Sequence, residues 1–135
     1  MQGQCLCGKT VFSFELINHD VHACHCSICR KQTSDANMTI DIEAGSLKFL
    51  KDSNLSLYPS SEWAERGFCN HCGTSLFWRM KDQSYGNINV FAIDHILPDL
   101  NFNTEVYIDH KPDFYAFKNE TQKLTETEVI ALFST

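Results

Sequence analysis

Alternating apolar and polar residues are the main pattern along this chain. From Val11 to Ile17 the apolar side chains of Phe12, Phe14 and Leu16 share one face and polar side chains occupy the other, which predicts a half-buried strand. Similar short apolar runs predict further strands at Met38–Ile42, Leu47–Leu50, Leu55–Tyr58, Leu76–Trp78, Asn87–Ile93 and Glu105–Ile108. Clusters of Asn, Asp, Gly and Ser interrupt these runs at Lys51–Asn54, Lys81–Ser84 and Pro98–Asn103.

Helical patterns are short. Ser27–Thr33 has the length of one or two helical turns, and Thr125–Glu128 precedes an apolar stretch as a capping box does, which predicts a short terminal helix. With no internal repeat or linker, the pattern predicts one mainly β domain over residues 1–135.

Composition narrows the class of protein. The 135 residues are 43% hydrophobic and 21% charged, which suits a chain that buries a core. No run approaches the ~18 apolar residues of a membrane span, and the first residues lack the pattern of a secretory signal, so a cytoplasmic location is expected. A net charge of −6 argues against binding to nucleic acid or to an anionic membrane surface.

The seven cysteines all fall in three short motifs. In a reducing compartment such a number favours metal ligands or reactive thiols over disulfides. Cys5-Leu6-Cys7-Gly8 and Cys69-Asn70-His71-Cys72-Gly73 each place two sulfurs on a turn that a glycine completes. Two such pairs predict one closed tetrahedral zinc site with four thiolates, the rival interpretations being disulfides or buried free thiols.

The middle motif, Cys24-His25-Cys26-Ser27-Ile28-Cys29, supplies three more sulfurs and uses up the cysteines. Three protein ligands with a vacant fourth position are typical of a catalytic zinc, so two zinc ions per chain are expected. The alternatives are a redox-active thiol cluster and a site closed by a histidine, for which His22 is the first candidate. The sequence indicates no general acid or base beyond this site.

Basic residues follow the middle motif directly. Arg30 and Lys31 come after Cys29, and Arg66 stands three residues before Cys69. Because seven thiolates and two Zn²⁺ ions make an acidic chain still more negative, an anionic substrate needs local positive charge. Arg30 and Lys31 are the candidate substrate-binding residues, although each of the three basic residues also suits an ordinary solvated surface.

Together these motifs resemble the glutathione-dependent formaldehyde-activating enzymes, a family that also includes centromere protein V. The segments that carry the resemblance are Gly3–Gly8, Cys24–Lys31, Ser60-Ser61, Arg66–Gly73 and Tyr107–Pro112. The resemblance covers about residues 3 to 117. The chain departs from the family pattern at Gln32-Thr33-Ser34-Asp35 and at Phe91-Ala92-Ile93-Asp94.

The resemblance implies a complex β fold with short helices and two zinc sites. Cys5, Cys7, Cys69 and Cys72 match the structural ligands, and Cys24, Cys26 and Cys29 match the ligands of the catalytic-type zinc. It also implies a carbon–sulfur lyase whose partner is a small thiol such as glutathione, which adds to formaldehyde to give S-hydroxymethylglutathione. The alternative is a non-catalytic module that binds zinc or senses redox state.

Overall fold

The fold was analysed in a computed structural model, which describes residues 1–133; the last two residues of the predicted domain lie outside this range. The strands are β1 (Gln2–Gln4), β2 (Val11–Ser13), β3 (Leu16–Cys24), β4 (Met38–Ile42), β5 (Lys48–Lys51), β6 (Leu55–Tyr58), β7 (Ala64–Cys69), β8 (Ser75–Met80), β9 (Gly86–Asn89), β10 (Asn101–Val106) and β11 (Gln122–Leu124). The helices are α1 (Ser27–Thr33), α2 (Glu126–Phe133) and two 3-10 helices, Val90–Ala92 and Ile108–His110.

The strands form two sheets. The smaller sheet has the order β1-β2-β5, and the larger one has the order β11-β10-β3-β4-β9-β8-β7-β6. Most neighbours are antiparallel, but β10 runs parallel to both β3 and β11. In the β3–β10 pair Val106 lies opposite Cys24, so the ends of both strands meet at the same place.

The predicted mainly β class is confirmed, with differences at strand ends. Met38–Ile42 and Leu55–Tyr58 form strands with the predicted bounds. The run Val11–Ile17 is divided between β2 and β3, because the chain leaves the small sheet after Ser13 and enters the large one at Leu16. Its predicted inward face is nevertheless correct, since Phe12 and Phe14 are buried and Leu16 packs against the core.

Two late strands were predicted with the wrong extent. Asn87–Ile93 is a strand only to Asn89 and then continues as a 3-10 helix. The strand predicted at Glu105–Ile108 begins earlier, at Asn101 within a segment expected to be a break, and ends at Val106. It ends there because Tyr107 has a positive φ of 56°, which extended backbone cannot accommodate.

Both predicted helical segments are helices. At α2 the Thr125 hydroxyl accepts a hydrogen bond from the Glu128 N–H at 3.3 Å, and the Glu128 carboxylate accepts one from the Thr125 N–H at 3.1 Å. This reciprocal pair is the capping box expected from the sequence. No helix in the described part of the chain is long and apolar enough to cross a membrane.

The hydrophobic core contains residues of both sheets and reaches two of the three cysteine motifs. Its largest fully buried apolar side chains are Phe12, Phe14, Ile40, Leu76, Phe77 and Ile88. Cys5 and Cys69 belong to the same buried cluster. Two distant cysteine turns are therefore anchored by the core and held next to each other.

Candidate metal centres and active site

The first cysteine cluster joins a turn near the N-terminus to a turn in the middle of the chain. Cys5 and Cys7 lie on the turn between β1 and β2, while Cys69 ends β7 and Cys72 lies on the turn before β8. Their four sulfurs all lie within 4.8 Å of one another. The spacing of this four-thiol cluster suits a single ion.

Individual sulfur–sulfur distances support binding of a zinc ion by the four-thiol cluster. The Sγ atoms of Cys5 and Cys7 are 3.5 Å apart, and those of Cys7 and Cys69 are 3.8 Å apart. Four sulfurs placed tetrahedrally about 2.3 Å from a zinc ion would be about 3.8 Å from each other. The side chains present therefore match a closed thiolate site.

Glycines complete both turns. Gly8 and Gly73 have φ values of 76° and 82°, a conformation that glycine adopts without steric cost. Thr74 links the two halves, because its hydroxyl accepts a hydrogen bond from the Leu6 N–H at 3.0 Å and lies 3.2 Å from the sulfur of Cys72. The four-thiol cluster is thus built by local turn chemistry as well as by the core.

The thiols of the four-thiol cluster have different pKa values because their hydrogen bonds differ. The Thr74 hydroxyl and N–H groups lower the pKa of Cys72 to about 5. Burial acts to raise the pKa of Cys69, but the N–H groups of Cys72 and His71 outweigh it and the pKa is lowered. At Cys7 a hydrogen bond from the Lys9 N–H acts to lower the pKa, but burial and the neighbouring thiols raise it to about 11. Four thiolates this close need a cation to ionise together.

The second cluster is formed by Cys24, Cys26 and Cys29. Cys24 ends β3, Cys26 is the N-cap of α1, and Cys29 lies in the first turn of that helix. The Cys26 sulfur accepts a hydrogen bond from the Cys29 N–H at 3.3 Å, so it takes the part that a serine or aspartate oxygen plays at other helix starts. The three sulfurs of this three-thiol cluster lie within 4.8 Å of one another.

Arg66 contacts the three-thiol cluster. Its Nη2 donates to the Cys29 sulfur at 3.3 Å and its Nε donates to the Ser60 hydroxyl at 3.1 Å. The side chain is 5% exposed. In sequence Arg66 is close to Cys69, but residues three apart on a strand point to opposite faces, so β7 presents Cys69 to one cluster and Arg66 to the other.

Charge in the three-thiol cluster is concentrated on one sulfur. Hydrogen bonds from Cys24 and Cys26, together with the Arg66 guanidinium, lower the pKa of Cys29 to about 2 against the opposing effect of burial. Hydrogen bonds with Cys26 and Cys29, together with burial, raise the pKa of Cys24. The arginine therefore stabilises a thiolate that burial would otherwise disfavour.

The two basic residues predicted to bind substrate have different surroundings. Arg30 donates from Nε to the His25 carbonyl at 2.9 Å and is partly buried, whereas Lys31 is exposed on α1. Both stand in the last turn of a helix whose first turn carries Cys29. Both residues therefore lie on the helix that carries Cys29, and in the described part of the chain neither is hydrogen-bonded to a sulfur of the cluster.

Neither histidine near this cluster belongs to it. Among the described residues, no further His, Cys, Asp or Glu ligand atom lies within 4.8 Å of all three sulfurs, so the alternative in which His22 closes the site gains no support. His25 is fully buried; its Nε2 is 2.8 Å from Glu105 Oε1 and its Nδ1 is 2.9 Å from the Tyr115 hydroxyl. These contacts fix the side chain that lies between Cys24 and Cys26 in sequence.

A cleft of about 580 Å³ lies between the Cys5–Leu6 turn and the end of α1. Both segments that depart from the family pattern line it, through Thr33 and Asp35 on one side and residues 91–94 on the other. Two segments at least 56 positions apart in sequence thus line the same surface.

Comparisons with known proteins agree with this arrangement. The model of the family described as glutathione-dependent formaldehyde-activating enzyme matches residues 1–110, which include both cysteine clusters. The chain belongs to this family. An uncharacterized lyase from Schizosaccharomyces pombe is 32% identical to it over 135 residues, with 96% of this chain and 93% of the relative covered.

The solved structures agree as well. The chain is similar to the crystal structure of a Rhodobacter sphaeroides protein from a structural genomics programme, with a TM-score of 0.60 and 26% identity. That match covers 73% of this chain and 92% of the other. The mainly β fold is therefore shared by both proteins.

Proposed function

We propose that this protein is a zinc-dependent carbon–sulfur lyase that acts on the adduct of a small thiol with formaldehyde, such as S-hydroxymethylglutathione. The observation that carries the proposal is the three-thiol cluster, in which the described residues offer three ligands and a buried arginine. Family membership supports the type of reaction, and the lyase name of the fission yeast relative is consistent with it.

Two zinc ions per chain are part of the proposal. Cys5, Cys7, Cys69 and Cys72 would hold one ion in a closed site, which ties β1–β2 to β7–β8. Cys24, Cys26 and Cys29 would hold the other with one position left for an exogenous ligand. When bound there, zinc would supply Lewis acidity that lowers the pKa of a thiol and polarises a carbonyl oxygen.

The reaction needs no redox partner. In the synthetic direction the thiol sulfur forms a bond to the formaldehyde carbon, the C=O π pair moves to oxygen, and the thiol proton ends on that oxygen through water. In the lyase direction the same bonds break and form in reverse. The protein's task is to hold a thiolate and a small aldehyde together and to exclude other nucleophiles.

The chain's own residues fit this task. Arg66 offsets the charge of Cys29, which limits the negative charge that an incoming thiolate meets. Arg30 and Lys31 would attract the carboxylates of a thiol such as glutathione, Lys31 from the exposed face of α1. An anionic tripeptide thiol therefore suits this end of the molecule despite the acidic chain.

Exchange spectroscopy tests the proposal. With glutathione and formaldehyde in solution, NMR exchange between free thiol and S-hydroxymethylglutathione should accelerate on adding zinc-loaded protein. A Cys26→Ser variant should lose the acceleration and one of two zinc ions, as counted by elemental analysis. Equal exchange rates with and without the wild-type protein would remove the formaldehyde assignment and leave a zinc-binding or redox-sensing module.

A further inference from the structure

The turn after β10 places an aromatic residue in an unusual backbone conformation. Tyr107 has φ 56° and ψ 42°, the left-handed region, which costs a bulky side chain about 1–2 kcal/mol. Strained backbone of this kind persists where the surrounding structure enforces it, and it is common at functional sites. The position of Tyr107 indicates which site is involved.

Tyr107 follows the strand end that pairs with the three-thiol cluster. The preceding residue, Val106, pairs with Cys24, and its carbonyl accepts a hydrogen bond from the His25 N–H at 3.0 Å. The phenol is half-buried. Burial raises the pKa of Tyr107, so its hydroxyl stays protonated and can donate a hydrogen bond.

A second group holds this tyrosine in place. The His110 ring packs edge-on against the Tyr107 ring, with centroids 5.4 Å apart and planes at 71°. Nε2 of His110 is 2.9 Å from Oε2 of Glu126, the first residue of α2. The N–H of Glu126 donates to Asp109 at 3.0 Å, which fixes the helix to the same turn.

Glu126 lies beyond residues 1–110, which the family model matches. A contact from α2 to the Tyr107 turn is therefore supplied by a part of the chain outside the matched region. The capping box at Thr125 and Glu128 orients the start of this helix independently of the pair with His110.

We propose that Tyr107 is a substrate-contacting residue of the three-thiol site, whose hydroxyl donates a hydrogen bond to the oxygen of the thiol adduct, and that His110 and Glu126 are its positioning residues. The proposal rests on the proposed function for the identity of the adduct. During carbon–sulfur bond formation negative charge develops on the former carbonyl oxygen, so a fixed neutral donor there stabilises the transition state more than the ground state.

A pair of simple thiols tests the contact without measuring activity. Ethanethiol and 2-mercaptoethanol differ by a hydroxyl group, and their binding to cobalt-loaded protein can be followed by the sulfur-to-cobalt charge-transfer bands. Wild-type protein should bind 2-mercaptoethanol about 3- to 10-fold more tightly than ethanethiol. Tyr107→Phe should reduce this ratio to about one, and Tyr58→Phe, a change at an exposed tyrosine on β6, should preserve it.

The positioning role has its own variants. Glu126→Ala removes the partner of His110 but keeps the backbone hydrogen bond to Asp109, so α2 should remain in place. Glu126→Ala should lower the 2-mercaptoethanol preference about 2- to 5-fold, and Glu126→Gln, which keeps an oxygen acceptor, should restore it. Thermal unfolding of each variant confirms that folding is intact.

The outcomes separate the two proposals. A wild-type protein with no preference for 2-mercaptoethanol, or a Tyr107→Phe variant that keeps the preference, would overturn the role of Tyr107. An unchanged ratio in Glu126→Ala would overturn the positioning role of the pair. Failure of wild-type protein to accelerate formaldehyde exchange would reject the proposed function alone, because the ratio of thiol affinities is measured without formaldehyde.

Discussion

The Arg66 guanidinium donates a hydrogen bond to the Cys29 sulfur at 3.3 Å across 37 positions of sequence. Since β7 also ends in Cys69, a single strand contributes to both cysteine clusters. The four-thiol cluster thereby fixes the strand that neutralises the three-thiol cluster. Loss of metal from the four-thiol cluster should therefore weaken metal binding at the three-thiol cluster. Loss of metal from the three-thiol cluster should affect the four-thiol cluster much less.

Replacing Arg66 with Met tests the charge in this relationship. The variant keeps much of the buried side-chain volume but leaves the Cys29 thiolate without its cation. We expect metal affinity at the three-thiol site to fall about 10- to 100-fold, as is usual when a residue that supports a metal ligand is lost. Competition with a chromophoric chelator measures this affinity.

Arg79 provides the matched control. It is also partly buried, pairs with Glu65 at 2.8 Å and lies over the Phe77 ring, but it is not among the residues bonded to a cysteine. Arg79→Met should lower stability and leave both metal affinities unchanged. Equal loss of metal from the two variants would show that Arg66 acts only through folding.

Cysteine spacing allowed much of the site to be predicted. The structure brings together the same four and the same three thiols. Close spacing followed by a glycine defines the turns of the four-thiol cluster, and the three other cysteines lie within six residues of sequence. Strands with strict alternation were likewise recognised from local pattern, whereas their ends depend on which sheet the chain joins. Phe14 and Glu15 illustrate this, since they lie where the chain changes sheets.

Residues that meet across long stretches of sequence could not be predicted in this way. His25 contacts Glu105 and Tyr115, which are 80 and 90 positions away, and nothing in the local pattern identifies either partner. The role of Arg66 was missed for a related reason, because its nearness to Cys69 in sequence hides the opposite direction of its side chain. The alternation of side chains along a strand would have predicted that Arg66 and Cys69 point to opposite faces.

Serine substitutions should distinguish the two clusters. Cys69→Ser breaks a site that joins two distant turns inside the core, so we expect a fall in the melting temperature of more than about 10 °C and loss of zinc from both sites. Cys26→Ser affects one helix start, so the fold and one zinc ion should be retained. Calorimetry with elemental analysis compares the two variants, and equal melting temperatures would contradict the structural role of the four-thiol cluster.

Low pH should reduce the free energy of unfolding partly through protonation of Glu105. Burial acts to raise the pKa of this carboxylate, but hydrogen bonds from Thr121 and His25 outweigh it and the pKa is lowered on folding. A lowered pKa gives stability that is present above the unfolded value of about 4.3 and is lost as the pH falls through the folded value. Chemical unfolding from pH 7 to pH 3 should therefore show a smaller acid-induced loss for Glu105→Gln.

The same variant should also be less stable at neutral pH. The Glu105 side chain is 2% exposed, and weakening its hydrogen bonds should cost about 1–3 kcal/mol at pH 7. Asp99→Asn is the control, because Asp99 pairs with His19 on the surface and such pairs contribute less than about 1 kcal/mol. Identical pH profiles for wild type and Glu105→Gln would contradict the argument.

A methyl group at Gly67 should disturb the strand that carries Arg66. A Cβ there would lie 2.2 Å from Cε1 and 2.3 Å from Cζ of the buried Phe77 ring, so β7 or the ring must move. We expect Gly67→Ala to cost about 1–3 kcal/mol of unfolding free energy and to weaken metal binding at the three-thiol site. Adding Phe77→Leu removes the overlapping ring atoms and should recover part of both losses. A double-mutant cycle of chemical unfolding measures this coupling, and strict additivity would show that the ring contact does not set the position of β7.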